Sequence, residues 1–220
     1  MPAKSGSGGI VGSSFSFTWS HGGVAPPWRS LLLTTLVLAG NLLLGAAPEA
    51  WVFDRVAIGD GELWRLVTGH WVHSDFAHAL WDIAALGLLS ALFEKRLRGK
   101  LLLVLGVGTL GVDSWLWWGS ETLRFYCGLS GILNTLLAVG LIQLWRDTHH
   151  PLVWLTGLGA AAKICVEMFA GQALLTQTAW PSVPEAHAVG FLCGVALGLR
   201  RCPTTCSDSL VRPIPPVSPR

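Results

Sequence analysis

The sequence predicts an all-α polytopic membrane protein, a bundle of six transmembrane helices, and three observations carry that prediction. Of 220 residues, 51% are hydrophobic and 13% charged, about half the roughly 25% charge of a soluble domain, and mean hydropathy is +0.53. Apolar runs near the ~20 residues a bilayer requires recur along the chain. Twelve Trp stand against one Tyr, and indole rings favour the membrane–water interface. Such a composition excludes a soluble enzyme and a disordered chain. The formal charge of +2 provides no basic surface for phosphates, so no nucleic-acid partner is expected. Five Cys in no framework spacing do not form a disulfide scaffold.

The elements follow in order. Residues 1–30 are rich in Gly, Ser and Pro, lack an apolar period, and read as a disordered cytoplasmic tail. The membrane domain is expected over residues 31–199. Leu31 to Ala46 is the first apolar run, a signal anchor rather than a cleaved signal peptide, because its leader is long and weakly charged and further spans follow. Ala47 to Val72 carries four acids and two Arg; it is too polar to span and is placed at the interface. Five more spans are read at Phe76 to Phe93, Leu101 to Trp118, Leu129 to Trp145, Leu152 to Ala170, and about Ala179 to Leu199. Residues 200–220 are a polar, Pro-rich tail, again cytoplasmic.

Orientation follows from the basic residues. Lys4, Arg29, Lys95, Arg96, Arg98, Lys100, Arg146, Arg200, Arg201, Arg212 and Arg220 fall on one side of this arrangement, against Arg55, Arg65 and Arg124 on the other. The positive-inside rule then makes both termini cytoplasmic.

Ionisable residues inside a span are costly and point to function. The second helix carries His78 and Asp82, four apart and on one face. The fourth opens on Gly128-Leu129-Ser130-Gly131, followed by Asn134, and the sixth carries His187, then Gly190, Gly194 and Gly198. Each group starts near the outer end of an even-numbered helix, with its His, Ser or Asp within ~10 Å of the outer surface at 1.5 Å rise per residue. Singly these are weak signals: a membrane Ser often bonds its own backbone, and a Gly stripe is a common packing device. Jointly they fit acyl transfer to a serine, whose hydroxyl needs an adjacent base such as His. Ser130 at a helix N-terminus gains free amide donors for an oxyanion. Gly128 and Gly131 allow a tight turn and close approach, and the Gly190–Gly194–Gly198 stripe would bring the sixth helix onto the fourth.

At these residues the chain resembles the rhomboid intramembrane serine proteases. The matching motifs are Gly128-Leu129-Ser130-Gly131, His187-Ala188-Val189-Gly190, the set His73, His78 and Asp82, and Trp64-Arg65 in the first loop. The resemblance implies a rhomboid-like six-helix bundle with a Ser130–His187 dyad, no metal and no cofactor. It also implies an oxyanion site from the Ser130 amide and His78, and single-span membrane-anchored proteins as substrates. Trp64-Arg65-Leu66-Val67-Thr68-Gly69-His70-Trp71-Val72-His73, with Lys163 to Glu167, is similar to the rhombosortase subfamily. That implies a bacterial inner-membrane enzyme, with its site near the periplasmic face, acting on proteins with a C-terminal Gly-Gly-type sorting tail. Asp82 departs from the family's Asn, which puts the oxyanion role of this residue in question. No acid follows the base in the sixth helix, which leaves Asp82 as the nearest candidate for an acidic orienter. Gln172 to Glu185 is read as a flexible cap, and Cys127 as packing.

Two other readings stay open: an inactive rhomboid-like protein that binds membrane proteins, and a small transporter using the intramembrane pair Lys163 and Glu167, which would otherwise be a self-neutralising packing pair. His70, His73 and His78 do not repeat a zinc spacing, nor do Cys202 and Cys206.

Overall fold

The computed structural model describes residues 27–97, 99–174 and 178–200. Most of the two expected tails, with Cys202 and Cys206, lies outside the described residues. Six long helices occupy the six apolar runs: α1 (Trp28–Leu44), α2 (Phe76–Phe93), α3 (Leu101–Ser114), α4 (Ser130–Thr148), α5 (Pro151–Ala170) and α6 (Pro184–Leu199). A π-helical turn, Trp115–Gly119, prolongs α3. Among the described residues three helices are long and apolar enough to cross a membrane: α2, α3 with its π turn, and α5. Helices α1 and α6 are apolar but shorter, at 17 and 16 residues.

Helix α4 is the axis of the bundle and packs against α2, α3, α5 and α6. Its inner residues, among them Ile132, Thr135, Leu136 and Val139, are buried, while Leu152, Leu155, Leu158 and Phe169 on α5 are exposed. Large apolar side chains on the outside and small ones between helices are the arrangement that lipid favours, since packing rather than water exclusion drives association there. Gly190 shows how close that packing is. A Cβ on it would lie 1.9 Å from the carbonyl oxygen of Gly131, and Thr135 Oγ1 donates to the Gly190 carbonyl at 2.8 Å. The two helices therefore meet backbone to backbone beside the fourth helix's first turn.

The segment between α1 and α2 is folded. It holds β1 (Phe53–Asp54), two short helical turns, Arg55–Gly59 and Arg65–Thr68, and the buried residues Val52, Phe53, Ile58 and Val72. Strand β1 pairs antiparallel with β2 (Phe125–Tyr126), just before α4. Arg65 is buried and donates to the carbonyls of Glu49 and Val52 and to Glu62, and Trp64 Nε1 donates to the Ala50 carbonyl at 3.1 Å. The Trp–Arg element thus saturates carbonyls that no regular structure would satisfy.

The last helix begins later than its apolar run. Pro184 occupies its first turn and Val183 before it is non-helical, at φ −114° and ψ 82°, because the ring of a following proline disfavours helical geometry. Residues 178–183 are therefore loop, and the expected cap ends at Val183 rather than Glu185.

Candidate active site

Ser130 is the first residue of α4, at a turn made by Gly128 at φ +116°. That backbone geometry is open to glycine and costly for other residues, and a Cβ there would lie 2.6 Å from His78 Nε2. The Gly128 amide donates to the Gly69 carbonyl at 3.1 Å, tying the turn to the first loop. Across the Gly190 contact, His187 on the first turns of α6 lies with Nε2 2.8 Å from Ser130 Oγ. His187 is 8% exposed. Beside the pair is a cavity of about 560 Å³, lined by Trp81, Asp82 and His78 from α2, Thr122–Cys127, Lys163 and Thr178–Val183 with the exception of Ala179.

The residues read from sequence as a helix-2 group converge on the α4 N-terminus. Asp82 Oδ2 accepts from the amides of Leu129 at 2.7 Å and Ser130 at 3.0 Å. His73 Nε2 and His78 Nε2 lie 3.3 and 3.5 Å from the same oxygen. A carboxylate on free helix amides is a favourable anion placement. It also means that the Ser130 amide, expected to be open for an oxyanion, is occupied by Asp82. The imidazoles are fixed behind it, His73 by Asn41 at 2.7 Å and His78 by Ser74 at 3.1 Å, while His70 pairs with Asp113 at 2.9 Å. Asn134 donates to the Ser130 carbonyl of its own helix.

Of the small residues singled out, Gly131 packs near Val112, Ala186 and Tyr126, Gly194 near Thr135 and Ala138, and Gly198 near Ile142. Lys163 Nζ donates to Glu167 Oε1 at 2.6 Å. The other Glu167 oxygen lies 3.4 Å from His187 Nδ1. The carboxylate nearest the imidazole's far nitrogen is thus Glu167, not Asp82. Spacing within α5 revealed the Lys–Glu pair, but only the packing of α5 on α6 shows where it points.

Cys127, next to the turn, is 8% exposed among Val52, Val72 and Trp180. Burial, with the negative charges of Asp82 and Asp75, pushes its thiol up to about 12, so it stays a neutral thiol and a poor nucleophile.

Asp75 ties the cavity's rim together. It caps α2 by accepting from the His78 amide at 2.8 Å, takes the Ser74 hydroxyl at 2.8 Å, and accepts from the Ala179 amide at 2.7 Å. Burial pushes its carboxyl up, but the donors Ala179, His78 and Ser74 outweigh it and hold the group below its ordinary 3.8. A depressed value means that its stabilisation is present above the unfolded pKa and is lost as pH falls through the folded one. Asp75→Ala is expected to cost about 1 kcal/mol at pH 7 as a lost cap. Asp75→Asn keeps the cap and loses the acid sensitivity. Thermal unfolding in detergent as a function of pH checks both.

A family model described as Rhomboid domain matches residues 60–204, from just before the Trp–Arg element to beyond the end of α6. No curated protein matches the chain. Members of the family are generally serine intramembrane proteases that act on membrane proteins within the bilayer, although some are inactive. With well over half of its length under that one model, this membrane protein belongs to the rhomboid family.

Proposed function

We propose that the chain is a serine endopeptidase that cuts membrane-anchored proteins with a Ser130–His187 dyad. The observation that carries this reading is the 2.8 Å contact between Ser130 Oγ and His187 Nε2 at the wall of the cavity. His187 takes the hydroxyl proton as Ser130 attacks the scissile carbonyl, and returns it to the leaving amine; water then resolves the acyl-enzyme. All six helices span the bilayer, both termini are cytoplasmic, and the site opens near the outer face of a bacterial inner membrane. The shorter α1 and α6 reach across because bilayers thin around short spans at modest cost. Rhombosortase-like specificity for single-span proteins with a C-terminal Gly-Gly-type tail completes the reading; the Trp64 to His73 wording supports it.

The test is a membrane proteome comparison between cells carrying wild type and Ser130→Ala. One or more tail-anchored proteins are expected to keep their C-terminal span only in the variant. Identical proteomes overturn the reading.

One observation favours a second reading, a rhomboid-like binder that does not cut: Asp82 holds the Ser130 amide, and an ionised carboxylate there repels an oxyanion. In the protease reading Asp82 yields that amide when substrate arrives. An Asn at this position accepts the same two amides through its oxygen and has an NH₂ left for the oxyanion. Asp82→Asn is therefore expected to retain most of the cleavage rate, whereas Asp82→Leu, which strands both amides, loses at least about tenfold. Rates in reconstituted liposomes check this, and a dead Asn variant refutes this account of Asp82.

A further inference from the structure

We infer that Glu167 is a positioning residue for His187, making a serine–histidine–carboxylate row of Ser130, His187 and Glu167. The inference rests on the dyad proposed above. It begins from the way the two oxygens of Glu167 divide their partners. Oε1 accepts from Lys163 Nζ at 2.6 Å and from the Leu174 amide at 3.0 Å. Oε2 is left to His187 Nδ1 at 3.4 Å. The side chain of Glu167 is fully buried, so its carboxylate is bought at a desolvation cost that an apolar residue in the same place would avoid. Lys163, half-exposed and lining the cavity, supplies the balancing charge from one turn away on α5.

The consequence is a choice of tautomer. A neutral imidazole carries one N–H, and an ionised carboxylate only accepts. Facing Glu167, the proton belongs on Nδ1, which leaves the Nε2 lone pair toward Ser130 Oγ, the form a general base requires. When His187 takes the serine proton, the buried anion offsets the imidazolium charge in a low-dielectric site.

Of the other charged groups nearby, Arg124 on the cavity wall pairs with Asp54 at 3.5 Å. Asp82 is held by the amides of Leu129 and Ser130, and His78 by Ser74. Asp113 on α3 is paired with His70. Glu185, on the first turn of α6 itself, is not among the cavity's lining residues, and the buried Tyr126 is neutral.

The test needs no knowledge of the substrate. The full-length chain is reconstituted in liposomes, and the rate at which a fluorophosphonate probe labels Ser130 is followed against pH. Ser130→Ala and His187→Ala are expected not to label. In Glu167→Gln the amide oxygen keeps Lys163 and Leu174 and turns its NH₂ toward Nδ1, forcing the proton to Nε2. Labelling is expected to slow by about a hundredfold or more, less than the ~10⁴ lost in serine triads given the longer contact here. Its acid limb is expected to move to lower pH, because the imidazolium loses its anion. Lys163→Met moves the limb the other way, since Glu167 then acts uncompensated. A merely structural role for Glu167 shifts neither limb. Labelling of Glu167→Gln at the wild-type rate, with both limbs unmoved and Ser130→Ala silent, overturns the role of Glu167 and leaves the dyad standing. A wild type that does not label, or a Ser130→Ala variant that does, overturns the dyad and the inference together.

Discussion

If Ser130 and His187 are the proposed nucleophile and base, Ser130→Ala or His187→Ala is expected to lower cleavage by about 10⁶-fold, with the double variant no worse than either single one, because the two would act as one unit. The expectation rests on the 2.8 Å contact: in the proposed mechanism there is no acyl-enzyme without Oγ, and without Nε2 nothing accepts the serine proton. Expression and membrane insertion are expected to be unchanged. Neither side chain holds the bundle together, and a smaller residue at either position opens onto the cavity. Cleavage of a tail-anchored substrate in liposomes, with insertion checked by protease protection, measures both properties. Proteolysis at the wild-type rate by Ser130→Ala ends the protease reading.

Gly190→Ala produces the next largest effect, although it touches no reacting atom. Its Cβ would lie 1.9 Å from the Gly131 carbonyl oxygen and 2.8 Å from the Gly131 carbonyl carbon. Both are backbone atoms that yield only if α6 moves off α4. A separation of about 1 Å draws His187 away from Ser130, and a misplacement of that size costs on the order of 10² in rate. The accompanying overpacking costs about 1–3 kcal/mol. Gly198→Ala is the internal control. Its new methyl meets only side-chain atoms of Ile142: Cδ1 at 2.8 Å, which can rotate away, and Cβ and Cγ2 at 3.3 and 3.4 Å, which need yield only a few tenths of an ångström, so activity is expected to change much less than in Gly190→Ala. Equal loss from the two substitutions would show that the stripe supports the helix pair as a whole, not the His187–Ser130 distance in particular.

The bundle was legible in the sequence wherever one residue type has one strong environmental preference. Apolar runs gave the six helices to within a few residues, and the misjudged boundary, at the start of α6, fell where Pro181 and Pro184 compete with an otherwise apolar run. That Ser130, His187, His78 and Asp82 come together was also readable, because polar groups on apolar helices are few and their distance from the helix ends can be counted.

The Gly190–Gly194–Gly198 spacing made the approach of α6 to α4 readable, but not the directions in which the carboxylates of α2 and α5 point. Asp82 and Glu167 are both carboxylates inside apolar helices, and the sequence alone makes Asp82 the candidate partner for a histidine base. The fold separates them: Asp82 turns to the amides of Leu129 and Ser130, and Glu167 turns to His187. By itself the sequence determined which apolar helices carry polar side chains and how far each lies from its helix end, because that depends on hydropathy and rise per residue, which are local. Only the tertiary structure decided which carboxylate meets which partner: the Gly190–Gly194–Gly198 spacing already pointed α6 at α4, where Gly190 meets Gly131, but the rotations of α2 and α5 that aim Asp82 and Glu167 depend on packing between segments, which no local pattern encodes.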